Sequence, residues 1–218
     1  MSLIASNEGG IEFKRLEDGV YTAVSSMLID LGIQNNEKFD KKQRKIIIVW
    51  NIVGEYIEIN DEKLPRVISK EYTLTLTDKS TLKKDLQAWR GRVFTAEELK
   101  GFNLINILNV PCQLQIINEE KNGKTYTSIA SIMAMPKGMT VEKLEQTTMF
   151  DTYEPETWNT FREIPKWIQE KIRKCENQVD TGLDIFIRQY DEIMANMTTE
   201  NHEDVITSSE VPADDLPF

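Results

Sequence analysis

Aromatic and cationic residues interleave along the strand-like stretches of this 218-residue chain: Tyr21, Trp50, Tyr56, Tyr72 and Tyr126 alternate with Arg44, Lys45, Arg66, Lys70 and Lys124. Those two residue types together do one kind of chemistry well. Ring faces stack on nucleobases while cations follow phosphates, and stacking is worth about 1–3 kcal/mol per base whatever the base. The run from Lys38 to Lys45, KFDKKQRK, holds five basic residues and one acidic one, with Lys41, Lys42, Arg44 and Lys45 at its end. A second pair, Arg90 and Arg92, flanks Gly91. Each group also has a plainer reading. Tyr72 shares its parity with Leu74 and Leu76 and fits a core, Trp50 fits core or surface equally, and the lysine run reads as a solvated loop. The arginines also suit a helix C-terminus.

Other chemistries find little here. The single histidine, His202, lies in a polar C-terminal segment, which leaves no His-based triad or His-rich metal site. No phosphate-binding GxxxxGK[ST] loop, GxGxxG turn, HExxH helix or CxxC pair occurs, so the reading is neither an enzyme nor a cofactor or metal protein. Cys112 and Cys175 are far apart and read as reduced thiols of a cytoplasmic protein. No apolar run approaches the ~20 residues of a membrane span, and residues 1–20 lack a signal-peptide layout. The net charge of −10 is unevenly placed. Residues 1–150 carry 20 basic and 20 acidic residues, 151–197 carry 6 and 10, and 198–218 carry none and 6. The acidity belongs to the C-terminal third, and a balanced body can still present a basic groove.

The elements that would position these groups are mainly strands. Gly19 to Leu31, Arg44 to Ile59 and Val67 to Leu76 are rich in β-branched and aromatic residues, and Gly54 marks a bulge or bend. The period then changes. Ser80-Thr81 opens a helix through Trp89 with Leu82, Leu86 and Trp89 on one face, and Thr95-Ala96-Glu97-Glu98 is a capping box for a second short helix. Cys112 to Asn118 and Thr125 to Met135 form two more strands around Asn122-Gly123, a strong hairpin signal. Three strands, helices, then two strands is the layout of the OB-fold. The fold class therefore reads as mainly β, a five-stranded OB-fold barrel with a helical insertion between strands three and four, although period alone leaves other small barrels open. The domain spans residues 1–150. A helical extension, 151–197, contains amphipathic helices at Phe161 to Cys175, with Pro165 in the first turn, and at Leu183 to Met197. These pad the barrel's flank or form a homodimer contact. Residues 198–218 are polar and aperiodic and read as a disordered acidic tail.

Ser69 to Ile116 resembles a family of phage-encoded replication-module proteins described as single-stranded-DNA-binding-like, most recognisably at Trp89-Arg90-Gly91-Arg92-Val93-Phe94-Thr95, Glu98-Leu99 and Gly101-Phe102. The resemblance extends from about Gly19 to Gly138, with an echo at Ile164 to Ile168. The ending, Asp214-Asp215-Leu216-Pro217-Phe218, is similar to the acidic tip of bacterial single-stranded-DNA-binding proteins. In those proteins the tip docks replication and repair partners, with the terminal Phe in an apolar pocket and basic residues on the carboxylates. Charge-assisted capture of a C-terminal carboxylate is a recurring peptide-recognition mode. The resemblance implies a phage or prophage protein that coats single-stranded DNA without sequence preference and recruits partners through its tip. Lys41, Lys42, Arg44, Lys45, Trp50, Tyr56, Arg66, Lys70, Tyr72, Arg90, Arg92, Lys124 and Tyr126 are the candidate contacts. Two other readings stay open at this point: an adaptor that docks a clamp or helicase loader without binding DNA, and a strand-annealing protein.

Overall fold

A computed structural model of the chain describes residues 15–36, 40–59 and 61–207. Three long strands open it: β1 (Gly19–Asn36), β2 (Lys41–Ile59) and β3 (Glu62–Thr73). Helices α1 (Thr81–Arg90) and α2 (Ala96–Lys100) and a 3-10 turn (Leu104–Ile107) follow, then β4 (Pro111–Lys121) and β5 (Lys124–Met133). The antiparallel sheet order is β3-β2-β1-β4-β5. Register shifts at Ser25/Met27, Asp30/Gly32, Asn51/Tyr56 and Gln115/Ile116 bend the strands, because each extra residue kinks its strand and adds twist. The sheet curls into a half-barrel whose edges approach each other, with Lys70 Nζ of β3 only 3.5 Å from the Ile129 carbonyl of β5.

Local chemistry accounts for the turns. Asn122 and Gly123 take φ of 52° and 71°, the left-handed pair that a two-residue hairpin needs. The Ser80 hydroxyl caps α1, and Thr95 and Glu98 form the reciprocal capping box of α2. Leu82, Leu86 and Trp89 of α1 enter the concave face of the sheet, where they meet Ile48, Trp50, Leu114 and Ile116.

A second core lies on the opposite face. Strand β6 (Thr148–Phe150) pairs in parallel with β1, and a 3-10 segment (Pro155–Glu163), α3 (Lys166–Ile172), α4 (Gln178–Thr181) and α5 (Leu183–Thr207) follow. Phe150, Phe161, Ile164, Ile168, Ile172 and Leu183 pack on Ile29, Leu31, Ile47 and Val49. The run Ile46-Ile47-Ile48-Val49-Trp50 therefore serves two cores by turns, which is why it is continuously apolar rather than alternating. Gly32 sits where the two units touch. Its φ is 69°, and a Cβ there would lie 2.7 Å from that of Cys175, so no side chain fits.

Two boundaries differ from the sequence pattern. The expected helix from Phe161 is interrupted: Ile164 is extended at φ −76° and ψ 132°, and Pro165 caps α3 instead of sitting inside its first turn. The cause is the clash of a proline ring with a helical preceding residue. Helix α5 runs on to Thr207, past the expected end at Met197. Among the described residues, no helix is long and apolar enough to cross a membrane.

Candidate nucleic-acid interface

The register divides the expected contacts between the two ends of the sheet. The N-terminal end of β1 pairs with the late residues of β4 (Gly19 with Ile116), and Ala23 pairs with Ile52 of β2. The β2–β3 and β4–β5 hairpins therefore leave the sheet at the same end, bringing Tyr56, Arg66, Lys124 and Tyr126 there. Lys41, Lys42, Arg44 and Lys45 lie at the opposite end, by the β1–β2 turn.

At the hairpin end, Tyr56 and Tyr126 are each 51% exposed, so ring faces are available. Lys63, which the sequence reading did not single out, lies over Tyr56 with Nζ 4.4 Å from the ring centroid. Lys124 is exposed on the hairpin beside Tyr126, and Arg66 is half-buried on β3. Charge is poor there. Residues 55–66 hold four acidic and two basic residues, and 119–124 hold two of each.

Several expected contacts do something else. Trp50 is fully buried and its ring packs 5.7 Å from that of Trp89, so it offers no face to a base. Tyr72 is also buried, with its hydroxyl donating to Asp85 at 2.9 Å; burial, then the Asp85 charge, drives its pKa far upward. Lys70 reaches the same carboxylate at 2.8 Å. Asp85 borders the α1 face of Leu82, Leu86 and Trp89, where a partly buried carboxylate needs a cationic or hydroxyl partner. Lys70 and Tyr72 are thus tied inside the barrel mouth.

Arg44 is similarly engaged. Its guanidinium bonds Asp30 through Nε (3.1 Å) and Nη2 (3.0 Å), reaches Asp151 at 2.7 Å and lies 4.4 Å from the centroid of Tyr153. Burial, with the neighbouring Asp30 charge, lifts the Asp151 carboxyl above its ordinary range. Arg44 therefore joins the sheet to the C-terminal unit. Lys42 does the same at the surface, 2.5 Å from Glu176.

Arg90 lies over the rings of both Phe94 and Phe102, at 4.5 and 4.8 Å from their centroids, and pairs with Glu98. Arg92 adds a fork to the same carboxylate at 2.8 and 3.1 Å, leaving its side chain 56% exposed. The Arg92 guanidinium, then the Thr95 backbone N–H, hold the Glu98 carboxyl down to about 2. That charge persists into acid, so the α1–α2 corner is a structural clasp with Arg90 inside it. Burial pushes the Cys112 thiol up to about 12 and that of Cys175 up to about 11, as befits packed side chains.

Lys41 is exposed, and Lys45 is half-buried with Nζ 2.9 Å from the Thr73 hydroxyl. The docking tip, Asp214, Asp215, Leu216, Pro217 and Phe218, lies outside the described residues, as do residues 38 and 39 of the lysine run. Comparison with protein-family models and with curated proteins finds no match for this chain.

Proposed function

We propose that the chain is an OB-fold single-stranded-DNA-binding protein of a phage or prophage replication and recombination module. It coats exposed strands without sequence preference, over roughly 4–16 nucleotides per fold, and works in the host cytoplasm. Its acidic tip, Asp214 to Phe218, recruits a replication or repair protein. The observation that carries this reading is the curled sheet of order β3-β2-β1-β4-β5, with helices between β3 and β4 and two exposed tyrosines at its hairpin end. Small barrels of this strand order bind oligonucleotides across strands two and three and the adjoining loops.

Tyr56 and Tyr126 are the stacking residues in this reading, in place of Trp50 and Tyr72. Tyr56→Ala and Tyr126→Ala should each weaken binding to labelled oligo-dT by about five- to 150-fold in fluorescence anisotropy, the equivalent of about 1–3 kcal/mol per stacked base. The Phe variants should bind like the parent. Alanine variants that bind as tightly as the parent would remove the stacking role.

The internal engagement of Arg44, Lys70 and Arg90 favours the adaptor as the second reading, since those charges are spent on Asp30, Asp85 and Glu98. An adaptor would hold its partner through the tip and leave oligo-dT unbound at low salt.

A further inference from the structure

A groove of about 380 Å³ opens at the end of β2 and β3 away from the hairpins, against the loop that leads into α1. Gln43, Lys45, Thr73, Thr75, Thr77 and Lys79 supply most of its lining. The wall is mainly polar, with Thr73, Thr75 and Thr77 lining it alongside Lys45 and Lys79. Lys45 and Thr73 are paired across β2 and β3, and the Lys45 ammonium donates to the Thr73 hydroxyl at 2.9 Å. Among the described residues neither Lys45 nor Lys79 has a carboxylate partner. The one acidic group on the wall, Glu71, is taken by Lys171 of α3 at 2.6 Å. The groove is therefore a concavity with uncompensated positive charge and hydroxyl donors, whereas Lys42, Arg44, Lys70 and Lys121 elsewhere on the sheet already hold carboxylates.

We infer that this groove binds backbone phosphates of the single strand, with Lys45 and Lys79 as the contacting cations. The inference rests on the proposed function and assigns a division of labour within it. The hairpin end supplies ring faces but carries more acid than base, so it is the poorer end for neutralising phosphates. The opposite end of β2 and β3 supplies the charge. A lysine ammonium is a point charge with rotatable donors and suits a flexible phosphodiester chain. Thr75 and Thr77 add hydroxyls of the kind that fix phosphate oxygens without reading sequence.

The test is oligo-dT and oligo-dA binding across a salt series for the full chain, Lys45→Gln, Lys79→Gln and the double variant. Lys100→Gln on exposed α2 serves as a control of equal charge change. Each phosphate contact on a single strand contributes about 0.7 to the slope of log K against log salt. Each groove variant should lower the slope by about 0.7 and the double variant by about 1.4, equally for both oligonucleotides, with Lys100→Gln unchanged. Lys79 is exposed, so its variant keeps the inference testable should Lys45→Gln perturb β3. If the parent binds and Lys79→Gln and the double variant keep the parent's slope, the groove assignment is overturned while the function stands. A parent that binds neither oligonucleotide at low salt overturns both.

Discussion

Trp50→Ala is expected to destabilise the fold by about 3–5 kcal/mol, the cost of deleting a large buried aromatic and leaving its cavity. Trp50 has no exposed surface, and its ring packs against Trp89 of α1, so the loss falls on the contact between β2 and the helix that fills the half-barrel. Urea unfolding measures it. A base-stacking Trp50 would behave oppositely, with stability changed by less than about 0.5 kcal/mol and oligo-dT binding lost. Trp50→Phe separates volume from polarity. It keeps an aromatic ring and deletes the buried indole N–H, which has no hydrogen-bond partner among the described residues. It should therefore cost clearly less than the alanine variant, because an unpaired buried donor carries its own penalty.

The second large effect is expected at Arg44. Arg44→Ala leaves Asp30, whose side chain is 4% exposed, without its guanidinium partner and with Asp151 close by. Breaking one side of a buried pair costs about 3–5 kcal/mol because the remaining charge is uncompensated. Arg44 is itself one-third exposed, and screening by water lowers the expectation to about 2–4 kcal/mol. Arg44→Lys should fall between the two, since an ammonium cannot reproduce the two-nitrogen fork onto Asp30. Chemical denaturation of the three proteins gives the ranking. Oligo-dT affinity of the folded variants should stay within about twofold of the parent, because this arginine faces Asp30 and Asp151 rather than phosphate. A tenfold loss of affinity at unchanged stability would restore Arg44 to the interface.

The two cases show which part of the site was legible in the sequence. Strand, cap and hairpin signals are local, so Ser80, Thr95 with Glu98, and Asn122-Gly123 formed the elements their types imply. Interleaved aromatic and basic residues on strands are ambiguous, because the pattern does not say which carboxylate each cation meets. Arg44 meets Asp30 fourteen positions away and Asp151 more than a hundred away, a pairing that only the folded chain defines. Asp85 is another such case: the helical pattern sets it with Lys83 and Lys84 off the apolar face of α1, and only the folded chain shows the bonds it accepts from Lys70 and Tyr72. The double-sided burial of β2 corresponds to Ile46 to Trp50, five apolar residues without alternation. The second core that explains them comes from Phe150, Phe161 and the helices far downstream.

In the proposed function the curled sheet binds single-stranded DNA through ring faces and a small number of phosphate contacts. The most direct measurement is equilibrium binding of the full chain to labelled oligo-dT over a range of salt, beside a duplex of the same length. Binding is expected at low salt, weakening linearly in log K against log salt, with the single strand preferred over the duplex. Absence of oligo-dT binding at low salt, or an affinity indifferent to salt, would contradict it and leave the adaptor as the better reading.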